Sequence, residues 1–267
     1  MRPSGARPPP AAPGPSLHRS VQGSIGVLRL NRPAVRNALD ADIITGIDDA
    51  LRSAVNDGLR AVVLIGEGDL AFSAGMDLRA FAEGSRSVEV EAKQAFDRIV
   101  RQPHEVPLIA AVNGAALGGG FELVLACDLV IAADHATFAL PEARRGIFPA
   151  GGGTMLATRI PHCRAMALML TGENMPAAEA ERLGLVNEVV PRDTLLTSVM
   201  ALATRVAETA PLAARAITRL TRQAREVGIA NTWADVDETS ARVQASEDAR
   251  EGVHAFLEKR PAVWTGR

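Results

Sequence analysis

The sequence predicts an α/β domain followed by a helical C-terminal region, on three observations. The runs Ala61–Ile65 and Leu108–Val112 are short and wholly apolar, as expected for strands buried on both faces. Amphipathic helical patterns over Ala41–Asn56 and Val88–Arg101 separate such runs, which is the alternation of an α/β fold. After about residue 193 strand patterns cease. Leu195–Thr209, Leu212–Glu226 and Asn231–Arg260 then read as helices, punctuated by Pro191 and Pro211.

Residues 1–19 are expected to form a disordered tail. Six of the first fifteen residues are Pro, and Pro8-Pro-Pro10 forbids the amphipathic helix of a mitochondrial presequence. No apolar segment follows that would make a secretory signal. The core is expected over 20–192 and a helical oligomerisation region over 193–267. Within the core, Ile25–Leu30 reads as a strand. The turn Gly118-Gly-Gly120 opens a helix that carries Glu122. Leu129–Ala132 and Thr137–Leu140 read as further strands.

Bulk composition excludes several functions. Net charge is −2, Tyr is absent and Trp numbers two, so neither a basic footprint nor aromatic platforms point to nucleic acid. No apolar stretch reaches membrane-spanning length. The five His lack metal-ligand spacing, and no metal is expected. Cys127 and Cys163 form no CxxC pair and read as small core hydrophobes in a reducing, cytoplasmic setting.

Two carboxylates stand out. Glu122 lies in the apolar run from Ile109 to Cys127, and Glu142 follows the apolar segment Phe138–Pro141. A carboxylate withdrawn from water holds its proton more tightly, and two such groups close together suit acid/base work near neutral pH. Three glycine turns accompany them. Gly118-Gly119-Gly120 lies at a strand-to-helix junction, where unpaired N–H groups and the helix dipole favour an anion or a developing oxyanion. The dinucleotide and P-loop fingerprints fit it poorly. Phe72-Ser-Ala-Gly-Met-Asp-Leu78 is a second turn. Paired with the first, it would supply two N–H donors to one oxygen. Gly146 to Gly153 is a third, expected to shape the pocket.

Several segments in order resemble the enoyl-CoA hydratase/isomerase family, the crotonase superfamily. They are Asn31–Leu39, Ala71–Leu78, Ala111–Glu122, Leu140–Glu142 through Gly153-Thr154, Leu170–Gly172, Ala180–Asn187 and Glu251–Arg260. The resemblance covers roughly residues 20–267. It implies a crotonase-like spiral of ββα units, a C-terminal helical trimerisation region, and a homotrimer or a hexamer built as a dimer of trimers. It implies an acyl-CoA thioester substrate, with coenzyme A part of the substrate and no separate cofactor. It places the oxyanion-hole N–H groups at Met76 and Gly119 and the catalytic carboxylates at Glu122 and Glu142. The resemblance puts substrate and CoA contacts at Ala34, Val35, Arg36, Ala74, Gly75, Asp77, Leu78, Arg79, Gly118 and Lys259.

Retention of both glutamates favours reversible hydration of 2-trans-enoyl-CoA to 3-hydroxyacyl-CoA. Glu122 would act mainly as base toward water and Glu142 mainly as acid toward Cα, with the reverse division open. The alternatives are a specialised acyl-CoA dehydratase, an enoyl-CoA isomerase, or a non-catalytic or RNA-binding member. Ala34 replaces a basic residue common in the family's first loop. Leu140, Met155 and the pair Arg144-Arg145 also depart from the family's commoner choices. These departures bear on acyl specificity, and the stretch Pro141–Pro149 resembles carnitinyl-CoA dehydratase-like members.

Overall fold

The computed structural model describes residues 14–77, 86–227 and 233–267. The chain opens with an antiparallel hairpin, β1 (Leu17–Gln22) and β2 (Ile25–Leu30), followed by α1 (Ala41–Ser53). The next repeat is β3 (Ala61–Gly66), β4 (Ala71–Ser73) and α2 (Arg86–Arg101). It is followed by β5 (Leu108–Val112), β6 (Ala115–Leu117) and α3 (Gly119–Ala126). Then come β7 (Leu129–Ala133) and β8 (Thr137–Ala139), short 3-10 turns at Glu142–Arg145 and Gly153–Thr158, and α4 (His162–Thr171). Strand β9 (Met175–Pro176), α5 (Ala177–Arg182) and β10 (Glu188–Val190) close the core. Helices α6 (Leu195–Ala207), α7 (Pro211–Val227), α8 (Trp233–Gln244) and α9 (Glu247–Glu258) follow.

Each ββα repeat divides its strands between two sheets. The first strand joins a six-stranded sheet of order β1-β2-β3-β5-β7-β10; the second joins a four-stranded sheet of order β4-β6-β8-β9. The β3, β5 and β7 pairings are parallel, as are β4–β6 and β6–β8, so the chain advances one strand per sheet with each turn of a spiral. The corner between β5 and β6 is set by Asn113. Its side chain accepts from Gly66 N–H at 2.9 Å and donates to Gly66 C=O at 2.9 Å, so no strand-end polar group there is left unpaired. Gly114 beside it is obligatory, since a β-carbon would lie 2.6 Å from the Leu70 backbone.

Two apolar clusters hold these layers. The main one fills the space among the sheets, α1 and α2, with Leu30, Ile43, Leu64, Phe72, Phe121 and Phe138 fully enclosed. The second lies on the other face of the six-stranded sheet, where Val63, Ile109 and Ile131 meet Leu195, Val199 and Ala203 of α6. The first C-terminal helix is therefore a layer of the core, and Leu195 is buried within its own chain.

Helix α7 is tied down by Arg222. Its Nε donates to Asp128 Oδ1 at 2.8 Å and its Nη2 donates to Ala126 C=O at 2.5 Å, while Asp128 Oδ2 accepts from Leu108 N–H at 2.8 Å.

The structure corrects two boundaries. Of the tail expected over 1–19, residues 1–13 lie outside the described residues, and Leu17, His18 and Arg19 belong to a strand, paired with Leu30, Arg29 and Leu28. The single helix expected over Asn231–Arg260 is two helices, because Ser246 has extended backbone and caps α9, its Oγ accepting from Ala249 N–H at 3.0 Å. Among the described residues no helix is long and apolar enough to cross a membrane, and no cluster of three His, Cys, Asp or Glu could hold a metal.

Candidate active site

The site gathers at the ends of β4, β6 and β8, where three successive repeats bring their turns together. Glu122 comes from the first turn of α3. Its run Gly-Gly-Phe-Glu-Leu-Val-Leu-Ala is apolar all round, so the helix is buried on every side and the carboxyl with it, at 5% exposure. Glu142 begins the 3-10 turn after β8 and is 8% exposed. Both line one cavity of about 230 Å³, together with Ala74, Gly75, Met76, Gly118 and Gly119.

The carboxyls differ in their partners. Glu122 Oε1 accepts from Gly153 N–H at 2.9 Å. Glu142 Oε2 is buried without a hydrogen-bond partner among the described residues. Burial pushes the Glu122 carboxyl up to about 6, and the charge of Glu142 pushes the same way, while N–H groups of Gly153 and Gly151 oppose them. Burial likewise raises Glu142, against the pull of Arg145.

A carboxyl whose folded pKa stands above its ordinary value contributes stability present at low pH and lost as pH rises through the folded value. Glu122 therefore adds stability fully below about pH 4.5 that disappears above about pH 6. Glu122→Gln keeps the shape without the charge. It should unfold at a higher denaturant midpoint than wild type at pH 8, by about 2 kcal/mol for a shift of this size, and the difference should vanish near pH 4. Equal pH dependence in both proteins would show that the buried charge is compensated.

The backbone donors arise from pairing geometry. Leu39 and Met76 form an isolated parallel bridge in which Leu39 N–H donates to Gly75 C=O at 2.8 Å and Asp77 N–H donates to Leu39 C=O at 2.9 Å. That pattern uses the groups on either side of Met76 and turns the Met76 N–H to the opposite edge. Gly119 is the first residue of α3, whose N–H has no partner within the helix. These backbones touch: a β-carbon on Gly119 would lie 3.5 Å from Met76 N, and one on Gly75 would lie 3.2 Å from Gly119 N.

Glycine is required where carboxylate and backbone crowd together. Gly118 has φ 52°, and a β-carbon there would lie 2.8 Å from Glu142 Oε1. At Gly151 a β-carbon would come within 2.3 Å of Phe96 and 2.7 Å of Glu122 Oε2. The third glycine turn thus shapes the pocket as expected and also holds the Glu122 carboxyl.

The remaining expected contacts are divided. Ala34, Val35 and Arg36 form an exposed turn next to the cavity's edge, joined to it where Ala74 N–H donates to Arg36 C=O at 2.9 Å. Asp77 is absent from the cavity wall; its carboxylate accepts from Arg32 Nη1 at 2.7 Å, and Arg32 also pairs with Asp40 at 3.1 Å. Leu78 and Arg79 lie outside the described residues. Lys259 ends α9 in a left-handed conformation and does not reach this chain's own cavity. The structure adds a wall from α2, formed by Lys93, Phe96, Asp97 and Arg101, and the loop residues Arg145, Ile147 and Phe148. Their helical spacing matches that of any amphipathic surface helix, so the pattern of α2 carries no sign of a pocket.

Two buried carboxyls, Glu122 and Glu142, and the touching backbones of Met76 and Gly119 line one cavity. A sequence model described as enoyl-CoA hydratase/isomerase matches residues 20–267. The chain belongs to the enoyl-CoA hydratase/isomerase family and is an enzyme of that family. It is 41% identical to a carnitinyl-CoA dehydratase from Salmonella arizonae, over 94% of this chain and 98% of that protein. It is 39% identical to a carnitinyl-CoA dehydratase from Proteus mirabilis, over 94% and 99%. Among solved structures, an enoyl-CoA hydratase from Mycobacterium tuberculosis superposes with TM-score 0.86 at 38% identity, covering 95% of this chain and all of that one.

Proposed function

We propose that this enzyme adds water reversibly across the double bond of a 2-trans-enoyl-CoA, giving a 3-hydroxyacyl-CoA. The observation that carries this reading is that two buried carboxyls line one cavity with Met76 and Gly119, whose N–H groups have no hydrogen-bond partner among the described residues. Attack of water at Cβ moves electrons onto the thioester oxygen. The Met76 and Gly119 N–H groups would hold that oxygen, each donor contributing about 3 kcal/mol in the transition state. Glu122 would take the proton from water, and Glu142, whose Oε2 has an open acceptor position, would hold the same water and deliver a proton to Cα. No separate cofactor is called for, since coenzyme A belongs to the substrate. We assign the exposed turn at Ala34–Arg36, joined to the cavity's edge through Ala74, to the pantetheine arm, and the working compartment to the cytoplasm.

The test is loss of enoyl absorbance on adding purified enzyme to 2-trans-enoyl-CoA esters of graded length. Consumption of a 3-enoyl-CoA without hydration would instead make it an isomerase. A dehydratase acting on a carnitine-like acyl group is the second reading, favoured by the relatives at 39–41% identity.

Assembly belongs to the same proposal. Helix α9 presents Val253, Phe256 and Leu257 on one face, with Phe256 82% and Leu257 71% exposed. A groove of about 600 Å³ beside α7 is lined by Ile217, Val206 and Leu129. Apolar surface of this extent is rarely left to solvent on a monomer. Light scattering should give three or six times the 28.1 kDa chain mass, and a monomer at micromolar concentration would contradict this.

A further inference from the structure

We propose that the acyl group this enzyme selects carries a carboxylate at its far end, held by Arg145 and by the Lys93–Asp97–Arg101 wall. The inference rests on the hydratase reading for the reaction, but it concerns a different part of the cavity. The reacting end is occupied by Met76, Gly119, Glu122 and Glu142. Beyond them four charged side chains, Lys93, Asp97, Arg101 and Arg145, interrupt a wall that is otherwise formed by Phe96, Ile147, Phe148 and Pro149.

On α2, Lys93 and Arg101 share one acid, Asp97, at 2.9 and 3.0 Å, which leaves a cation in excess on that face. Across the cavity stands Arg145. The sequence carries two adjacent arginines here, and the fold uses them differently. Arg144 turns away and donates through Nε to Thr171 C=O. Arg145 lines the cavity near enough to Glu142 to act on its charge, and its side chain makes no ion pair or hydrogen bond among the described residues. The apolar part of the wall, Met76, Phe96, Ile147, Phe148 and Pro149, lies beside these charges in a cavity of about 230 Å³.

A methyl-ended tail offers Arg145 and the excess α2 cation no partner and gains nothing from them. A trimethylammonium tail would be repelled by the same groups. A carboxylate tail gains charge-assisted hydrogen bonds, and guanidinium is suited to grip it by two parallel ones. A C4 carboxylate stands two bonds from Cβ, so Arg145 and the α2 cations must offset its charge beside Glu122 and Glu142.

The experiment compares 2-enoyl-CoA esters that differ only in the C4 substituent: methyl, carboxylate and trimethylammonium. kcat/KM for the carboxylate ester should exceed that for the methyl ester by about tenfold or more, as a charged hydrogen bond allows. Arg145→Met should collapse that ratio; if Arg145 served only to tune Glu142, both esters would lose activity equally and the ratio would stand. A preference for the methyl or trimethylammonium ester, or an unchanged ratio in Arg145→Met, would overturn the proposal. Calorimetric binding of the matching saturated thioesters separates the two readings. Tighter binding of the carboxylate ester without hydration of any enoyl ester would defeat the hydratase reading alone. Hydration without any tail preference would defeat this one alone.

Discussion

Glu122→Gln and Glu142→Gln are each expected to lower kcat for hydration by roughly 10²–10⁴-fold while binding of a saturated acyl-CoA persists. Both side chains keep their volume on substitution, so the cavity they line stays formed. What is lost is a proton acceptor or donor at a fixed place. For Glu122 the amide should also raise stability at pH 8, since the charge it removes is buried and held at a raised pKa of about 6. A variant that is more stable and far less active is the signature of a group placed against the interest of folding. A destabilised Glu122→Gln would mean that the Gly153 N–H bond to the carboxylate outweighs desolvation. Measuring kcat, thioester affinity and denaturant midpoint on the same two variants distinguishes these outcomes.

Gly75→Ala should be nearly as damaging through the backbone alone. Gly75 has φ 92°, where a β-carbon costs about 1–3 kcal/mol, and that carbon would lie 2.7 Å from Leu117 C=O and 3.2 Å from Gly119 N. Relief of the clash must separate the two strands whose N–H groups converge. The loss of one oxyanion donor predicts a kcat reduction of about 10²–10³-fold. Gly58→Ala is the control, with φ 71° and nothing within 4 Å of the added carbon. It should lose stability from the same kind of strain and keep wild-type kcat. Equal kcat losses in both variants would show that global destabilisation, and not displaced donors, accounts for the effect.

Much of this site was legible in the sequence because its parts depend on local rules. A glycine triplet between an apolar strand and an apolar helix leaves few conformations open, and a carboxylate inside that helix has no solvent to face. The expected strands at Ala61–Ile65 and Leu108–Val112 match β3 and β5 within a residue for the same reason. Strands β4 and β6 escaped notice at three residues each, although they lead into the turns that carry Met76 and Gly119. The wall from α2 was illegible for a different reason. Lys93, Asp97 and Arg101 form i,i+4 pairs that would look identical on a fully solvated helix, and only the approach of Gly151 and Phe148 makes them a cavity lining. Hidden too was the boundary at β1, whose residues His18 to Gln22 are mostly polar and exposed, and whose strand conformation comes from pairing with β2.

Product analysis after reaction in D₂O shows whether this cavity adds water to an enoyl thioester. With a short 2-trans-enoyl-CoA, the product should be a 3-hydroxyacyl-CoA that carries one deuterium at C2, delivered to a single face, and a solvent-derived hydroxyl at C3. Deuterium entering at C2 or C4 of an unhydrated thioester, with no hydroxyl at C3, would contradict the hydratase reading.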